Sequence, residues 1–322
     1  MAGDEFAQEA LYAQDSEFRI LEALLPFIEN RVFIDIGAEK GLFAGFLISK
    51  GFSGVLFEPY PDHAAHLKYL VEGTDSVFYP YAIDRRDGHR EFYLACDEDG
   101  NLMDYYHSLH YMADDPRVRH RQNMQVECRS LSSLLREEKI SGQVGVLKID
   151  TEGNDLQVIK GMQGVVPEIL ICEFFTEGLY EGWHEADPEG LISEVAAVLG
   201  YSRYIAVKRY LEDELISFSP SVFWGAQWGN LIFLSDAVYD RAFHELADIV
   251  RFSEKRLLSA ASASREASRG IAADLKKQLN GEIEMLRRVC EERLQLIEHL
   301  SREAEKRDLI IRHLEKQLKS EQ

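Results

Sequence analysis

RVFIDIGAEKGLFAGFLISKG, residues 31–51, reads as a strand, a glycine turn and a helix. Val32–Ile36 is a short β-branched and aromatic run, with Asp35 near its end. Gly37 and Gly41, with Ala38 between them, then lead into Leu42–Lys50. Glycine permits positive φ and close approach of a ligand to the backbone. The N–H groups at the helix start are expected to meet a polar or anionic ligand group. The pattern is D-x-G-x-x-x-G, not the G-x-G-x-x-G of a dinucleotide fold, and the third glycine beside a pyrophosphate is missing. A nucleoside smaller than NAD suits such a turn.

Moving outward, GVLFEPYPD places Glu58 at the end of the next apolar run, 17 residues beyond Gly41. An acid there can accept hydrogen bonds from both hydroxyls of a ribose. VGVLKIDTEGNDLQVIKGM (144–162) carries Lys148 and Asp150 on one face of a strand by its period of two, followed by Glu152 and Gly153. ILICEFF (169–175) brings Glu173 to the end of another strand. In open α/β sheets the ligand crevice lies beyond the carboxyl ends of the strands. Asp35, Glu58, Asp150 and Glu173 are therefore expected to converge. A lone acid is usually a helix cap or a solvated group, whereas several at successive strand ends make a site.

Further strands are expected at Val77–Ile83, Tyr201–Val207, Leu215–Phe218 and Asn230–Leu234, with HREFYLAC (89–96) as an added antiparallel strand or hairpin. Helical patterns fall at Phe18–Ile28, Asp62–Leu70, Leu131–Glu138 and Leu156–Met162. Strands alternating with helices argue for βαβ units and a parallel sheet, and the late strands for an antiparallel edge. Composition changes near residue 250. The expected division is a catalytic domain at 1–250, a Ser/Ala/Arg-rich helical connector at 251–278 and a coiled coil at 279–322. The last rests on a 4–3 apolar spacing from Leu279 to Leu318, interrupted at Arg293 and Arg307. Its alternation of Ile and Leu favours a parallel homodimer; the other reading is one long helix folded back on the domain.

The 322 residues carry a formal net charge of −20, which repels phosphate backbones and argues against nucleic-acid binding. The basic group Arg117, Arg119, His120 and Arg121 reads as a solvated loop or helix face, with an anion clamp as its rival. Four cysteines without a CxxC pair suit a reducing compartment and give no zinc pattern. The acidic N-terminus lacks signal-peptide features, and no apolar run is long enough to span a bilayer. These point to a cytoplasmic protein.

FIDIGAEKG, LFEPYP, LKIDTEGNDLQVIKG and ILICEFF, in that order, resemble the FkbM-type methyltransferases. LYAQDSEFRIL (11–21) resembles a degenerate form of the Ser-Gln-x-x-Glu-Asp segment that opens many members. The resemblance covers about residues 10–235. It implies a Rossmann-like seven-stranded fold, S-adenosylmethionine as donor and O-methylation, frequently of a sugar or glycan hydroxyl. By position it implies cofactor binding at Asp35, Gly37, Ala38, Gly41 and Glu58, and Asp84 on the adenine side. Two departures stand out: Glu39-Lys40 in the first turn, and SLSSLL (130–135), where the family commonly has Leu-Asp.

In methyl transfer to a hydroxyl the donor and acceptor must be aligned and the hydroxyl must lose its proton. Asp150 is the first candidate base, Glu152 and Glu173 come next, and Lys148 holds or tunes the carboxylate. The strand-end acids would also suit magnesium, although no residue set is assigned to a metal. His107, His110 and His184 are candidates for the acceptor side, but the bland reading of the first two as surface histidines is preferred. His63 and His66 are placed on an exposed helix face. Tyr180, Trp183, Trp224 and Trp228 are expected in late loops, either stacking on a sugar or packing. A glycosyltransferase held through the coiled coil is a further possible partner. The rivals are a non-catalytic nucleoside-binding scaffold and a NAD-dependent sugar epimerase; the missing third glycine and Tyr-x-x-x-Lys element count against the latter.

Overall fold

The computed structural model describes residues 16–249 apart from 104, 112–118, 177–185, 211–212, 222, 224, 226 and 247–248. The connector, the expected coiled coil, Arg117, Tyr180, Trp183, His184 and Trp224 lie outside the described residues.

The main sheet has eight strands in the order β10-β9-β11-β8-β7-β1-β2-β3. They are β1 (Val32–Ile36), β2 (Ser53–Phe57), β3 (Val77–Tyr79), β7 (Gln143–Ile149), β8 (Val166–Phe175), β9 (Arg203–Tyr210), β10 (Asp213–Phe218) and β11 (Trp228–Leu234). β3-β2-β1-β7-β8 are parallel, whereas β11, β9 and β10 add on antiparallel. The expected seven-strand sheet thus gains an eighth strand, because β10 turns back on β9 as an edge hairpin.

Both faces of the parallel strands are covered, so their sequences run almost continuously apolar. Phe33, Val146, Ile169 and Ile171 pack in one core with α1 (Ser16–Leu24), α2 (Leu42–Ser49) and Leu67 of α3 (Pro61–Val71). Ile34, Ile36, Leu147, Ile149, Leu170 and Cys172 face the other way. There they meet α4 (Leu131–Arg136), α5 (Asp155–Lys160) and α6 (Pro188–Leu199). Full burial of each such side chain contributes about 1.5–3 kcal/mol. Cys96, Cys128 and Cys172 are buried free thiols. No helix among the described residues is long and apolar enough to cross a membrane.

A second sheet, β4-β6-β5, is built from β4 (Ala82–Ile83), β5 (Gly88–Cys96) and β6 (Arg119–Arg129). β5 contains the antiparallel strand expected at HREFYLAC, paired to β6. The run expected as one strand at Val77–Ile83 is divided between the two sheets. Pro80, which has no N–H to give a ladder, lies at the division. Arg119, His120 and Arg121 lie on β6 rather than on a loop or helix. Only His120 of the three is buried; the exposed arginines gave this strand a polar appearance. SLSSLL is held at its start by Asp87. Its Oδ1 accepts hydrogen bonds from the Ser130 N–H and Oγ and from the Ser133 Oγ at the start of α4.

Candidate active site

The turn after β1 is held from inside. Gly37 and Ala38 N–H both donate to the Phe57 carbonyl, at 3.0 and 3.1 Å, and Gly41 N–H donates to the Ala38 carbonyl. Glu39 N–H donates to Glu58 Oε2 at 3.0 Å. These bonds fix the shape of the turn ahead of Leu42, where the helix begins. Gly37 has φ +73°, and a Cβ there would lie 1.8 Å from the Asp150 carbonyl oxygen. Glycine is what lets the first turn sit against the end of β7. Gly41, at φ +87°, instead packs against Leu67 and Leu70 of α3.

The alternation of the strands sets the chemistry on one sheet face. Asp35, Lys148 and Glu173 follow Phe33, Val146 and Ile171 by two residues, on the side of α1 and α2. Lys148 Nζ lies 3.0 Å from Asp150 Oδ2 and 3.8 Å from Asp35 Oδ1. Asp35 is fully buried, with the Ala44 N–H in the first turn of α2 directed at its carboxylate. Burial raises its pKa to about 7, against the pull of Lys148. Burial works against the Lys148 ammonium, but Asp150 and Asp35 outweigh it and hold the pKa above the ordinary lysine value.

Beyond β7 the chain turns through Glu152 (φ +53°) and Gly153 (φ +98°). Asp150, Glu152 and Glu173 each bring a carboxylate oxygen within 4.8 Å of the others. Burial, then the Asp150 charge, raises Glu152 to about 8; the Tyr106 N–H opposes this. Glu173 is raised well above the ordinary carboxylate range by burial and then by Asp150, Glu152 and Asp155. Asp155 ties the loop to β8: it accepts from Thr151 N–H and Oγ1 and, at 2.8 Å, from Glu173 N–H.

Lys148, Asp150, Glu152 and Glu173 line one cavity of about 410 Å³, while Asp35 and Asp155 lie buried outside its lining. At one end are Gly37, Ala38, Glu58, His63 and Ile83; at the other are Glu17, Arg209, Trp228 and Asn230, with Lys148, Asp150, Glu152 and Glu173 also on its wall. The segment carrying Tyr105, Tyr106 and His107 also lines it. It is fastened by Ser108 Oγ donating to the Glu152 carbonyl at 2.7 Å and by His110 bonding Asn154 at 3.0 Å.

Asp84 stands outside the lining, bound to Arg90 at 2.8 Å and to Arg85 N–H at 2.7 Å, while Ile83 beside it faces in. Gly41 is also outside the lining. His107 is buried rather than on the surface, and its Nδ1 accepts the Ala95 N–H. His63 likewise departs from its expected exposed position: it is 3% exposed because the first turn of α3 packs under Tyr60 and His107. Trp228 begins β11 rather than lying in a loop, with the Arg209 guanidinium 4.8 Å from its ring centre. Arg209 in turn pairs with Glu17 of α1 and, at 3.2 Å, with Glu214 of β10. Motif spacing carried no signal for the Arg209–Glu17 pair, whose members are 192 residues apart.

A mixed sheet with helices on both faces and an acid-lined cavity beyond the carboxyl ends of its parallel strands is the architecture of an α/β enzyme that takes its ligand there. Residues 35–206, more than half of the chain, match the Methyltransferase FkbM domain. The chain belongs to that family, and so to the S-adenosylmethionine-dependent methyltransferases.

Among solved structures it is similar to an rRNA methylase from Streptococcus thermophilus (7% identity, 69% of this chain and 98% of that one, TM-score 0.35). It is also similar to an O-methyltransferase family protein from Burkholderia thailandensis (11%, 72% and 60%, 0.34). A third is an S-adenosylmethionine-dependent methyltransferase from Clostridium acetobutylicum (10%, 72% and 79%, 0.29). No curated protein matches the sequence. The assignment rests on the family match.

Proposed function

We propose that the chain transfers a methyl group from S-adenosylmethionine to a hydroxyl of a sugar or glycan. The observation that carries this reading is the single cavity joining the Gly37–Glu58 end to the Lys148, Asp150, Glu152 and Glu173 wall. In this reading Gly37 and Ala38 shape the nucleoside end, and Glu58 accepts the ribose hydroxyls. Ile83 lies on the adenine side in place of Asp84. Buried Asp35 lies outside the lining and acts through Lys148, which lies 3.8 Å from it and does line the cavity. Glu17, Glu39, Glu58 and Asp150 on the cavity wall outnumber Lys148 and Arg209, a balance that suits a sulfonium donor better than a dinucleotide.

Asp150 is the base: its side chain is 37% exposed, the opening an acceptor needs, and Lys148 fixes its orientation. Glu152 and Glu173 hold protons more tightly than ordinary carboxylates and serve as donors that orient the acceptor. Trp228 offers a ring face for a sugar, with Arg209 against the indole. The three clustered oxygens also fit a hard cation such as magnesium, a requirement that loss of activity in EDTA would reveal. Residues 279–322 are proposed to make a homodimer or hold a glycosyltransferase; unchanged light-scattering mass after truncation at residue 255 removes the dimer. The catalytic reading is tested by incubating the protein with methyl-labelled S-adenosylmethionine and a panel of glycosides. Label in an alkali-stable ether supports it; label only on amines or esters overturns it.

A further inference from the structure

His63 is a buried polar group with no part in the methyl-transfer chemistry. It is 3% exposed, and neither ring nitrogen makes a hydrogen bond to any described residue. Buried polar groups are nearly always satisfied, so an unsatisfied one calls for an explanation. Its ring is enclosed by neighbours: Tyr60 meets it edge-on with centroids 5.0 Å apart, and His107 lies at 6.5 Å.

The nearest charged atom is Glu58 Oε1, 3.9 Å from His63 Nδ1. Glu58 is itself buried and already tethered on both oxygens. Oε1 accepts the Tyr60 N–H at 2.8 Å and Oε2 accepts the Glu39 N–H at 3.0 Å. Each carboxylate oxygen keeps further lone pairs, so the direction in which the group leans determines which of them reach the cavity. Both residues line that cavity. The link is local in sequence: Pro59 and Pro61 stiffen the chain after Glu58, and Pro61 starts α3, so the first helical turn brings His63 back over the carboxylate.

We propose that His63 is the positioning residue of Glu58: with its proton on Nδ1, it donates to Oε1 when a nucleoside is bound and so aims the carboxylate at the ribose. This rests on the reading of Glu58 as the ribose acid given above. The 3.9 Å separation is then the open form of a hydrogen bond that closes on binding. The Nδ1 atom carries the role, and Nε2 has none.

The test is calorimetric titration of the full chain with S-adenosylhomocysteine, using wild type, His63→Asn, His63→Gln and His63→Phe. Asparagine places an amide nitrogen near the Nδ1 position, glutamine near Nε2, and phenylalanine keeps the ring without either. Affinity within about twofold of wild type for His63→Asn, with about tenfold weaker binding for the other two, is the expected result, matching the loss of a hydrogen bond to a charged group. Melting of the unliganded variants is measured alongside. Wild-type affinity in all three variants overturns the proposal. So does equal weakening in all three, or weakening that tracks lost thermal stability, since either marks a packing role. Absence of binding by the folded wild type instead overturns the cofactor reading, and the inference with it.

Discussion

Glu152→Gln is the substitution whose outcome follows most directly from the site. Glu152 Oε2 is enclosed and has no hydrogen-bond partner, Asp150 adds a like charge, and the pKa rises from 4.5 to about 8. The folded state therefore holds this proton more tightly than the unfolded chain does. Below pH 4.5 the carboxyl is protonated in both states and there is no penalty. Between 4.5 and about 8 the unfolded chain ionises first, and stability falls by up to 1.36 kcal/mol per pH unit. Above 8 the penalty is constant. Taken in full it amounts to about 5 kcal/mol; water entering the cavity and side-chain rearrangement bring it to roughly 1–3 kcal/mol.

Glutamine keeps the shape, still accepts the Tyr106 N–H and carries no titrating proton. Urea denaturation of wild type and variant at pH 4 and pH 9 reads the difference. The variant should match wild type at pH 4 and exceed it by roughly 1–3 kcal/mol at pH 9. A difference that is the same at both pH values, or a variant less stable at pH 9, refutes the reasoning. Such a gain at a site group fits the trade between stability and activity.

Three other outcomes follow. Gly37→Ala sets a Cβ 1.8 Å from the Asp150 carbonyl at φ +73°; it should cost at least about 2 kcal/mol in thermal or urea unfolding and abolish S-adenosylhomocysteine binding. Lys148→Met removes the cation between Asp35 and Asp150. It should cost about 2–4 kcal/mol at pH 8 and less at pH 6, where Asp35, at about 7, takes up a proton and depends less on the lysine; urea titrations at the two pH values check this. Trp228→Ala should raise the acceptor KM about three- to tenfold in initial-rate assays while leaving S-adenosylhomocysteine affinity unchanged.

The strand-end acids were legible because the information is local. A run of apolar residues followed by Asp35, Glu58 or Asp150 states both the strand and where it stops, and the parallel sheet brings the ends together. The period of two also placed Lys148 beside Asp150. What could not be read depends on packing between distant segments. His63 looked exposed because its own helix shows few apolar neighbours, while Tyr60 and His107, which cover it, meet only through the second sheet. Arg209 and Glu17 pair across 192 residues, and β6 hides its strand period under surface arginines and glutamines. At the end of β4 the sequence marks Asp84 but does not show that Arg90 pairs with its carboxylate while Ile83 beside it lines the cavity. Nor does the sequence show that Phe57 O and Glu58 take the amides of Gly37, Ala38 and Glu39 and so fix the turn ahead of the helix.

The central claim is that this cavity holds S-adenosylmethionine, with Glu58 on its wall and Asp35 supporting that wall through Lys148. Calorimetric titration with S-adenosylhomocysteine, comparing wild type with the Asp35→Ala, Glu58→Ala double variant, tests it most directly. The account predicts micromolar binding by the wild type and its loss in a variant that remains folded. Equal binding by both proteins, or none by the folded wild type at millimolar ligand, would contradict it.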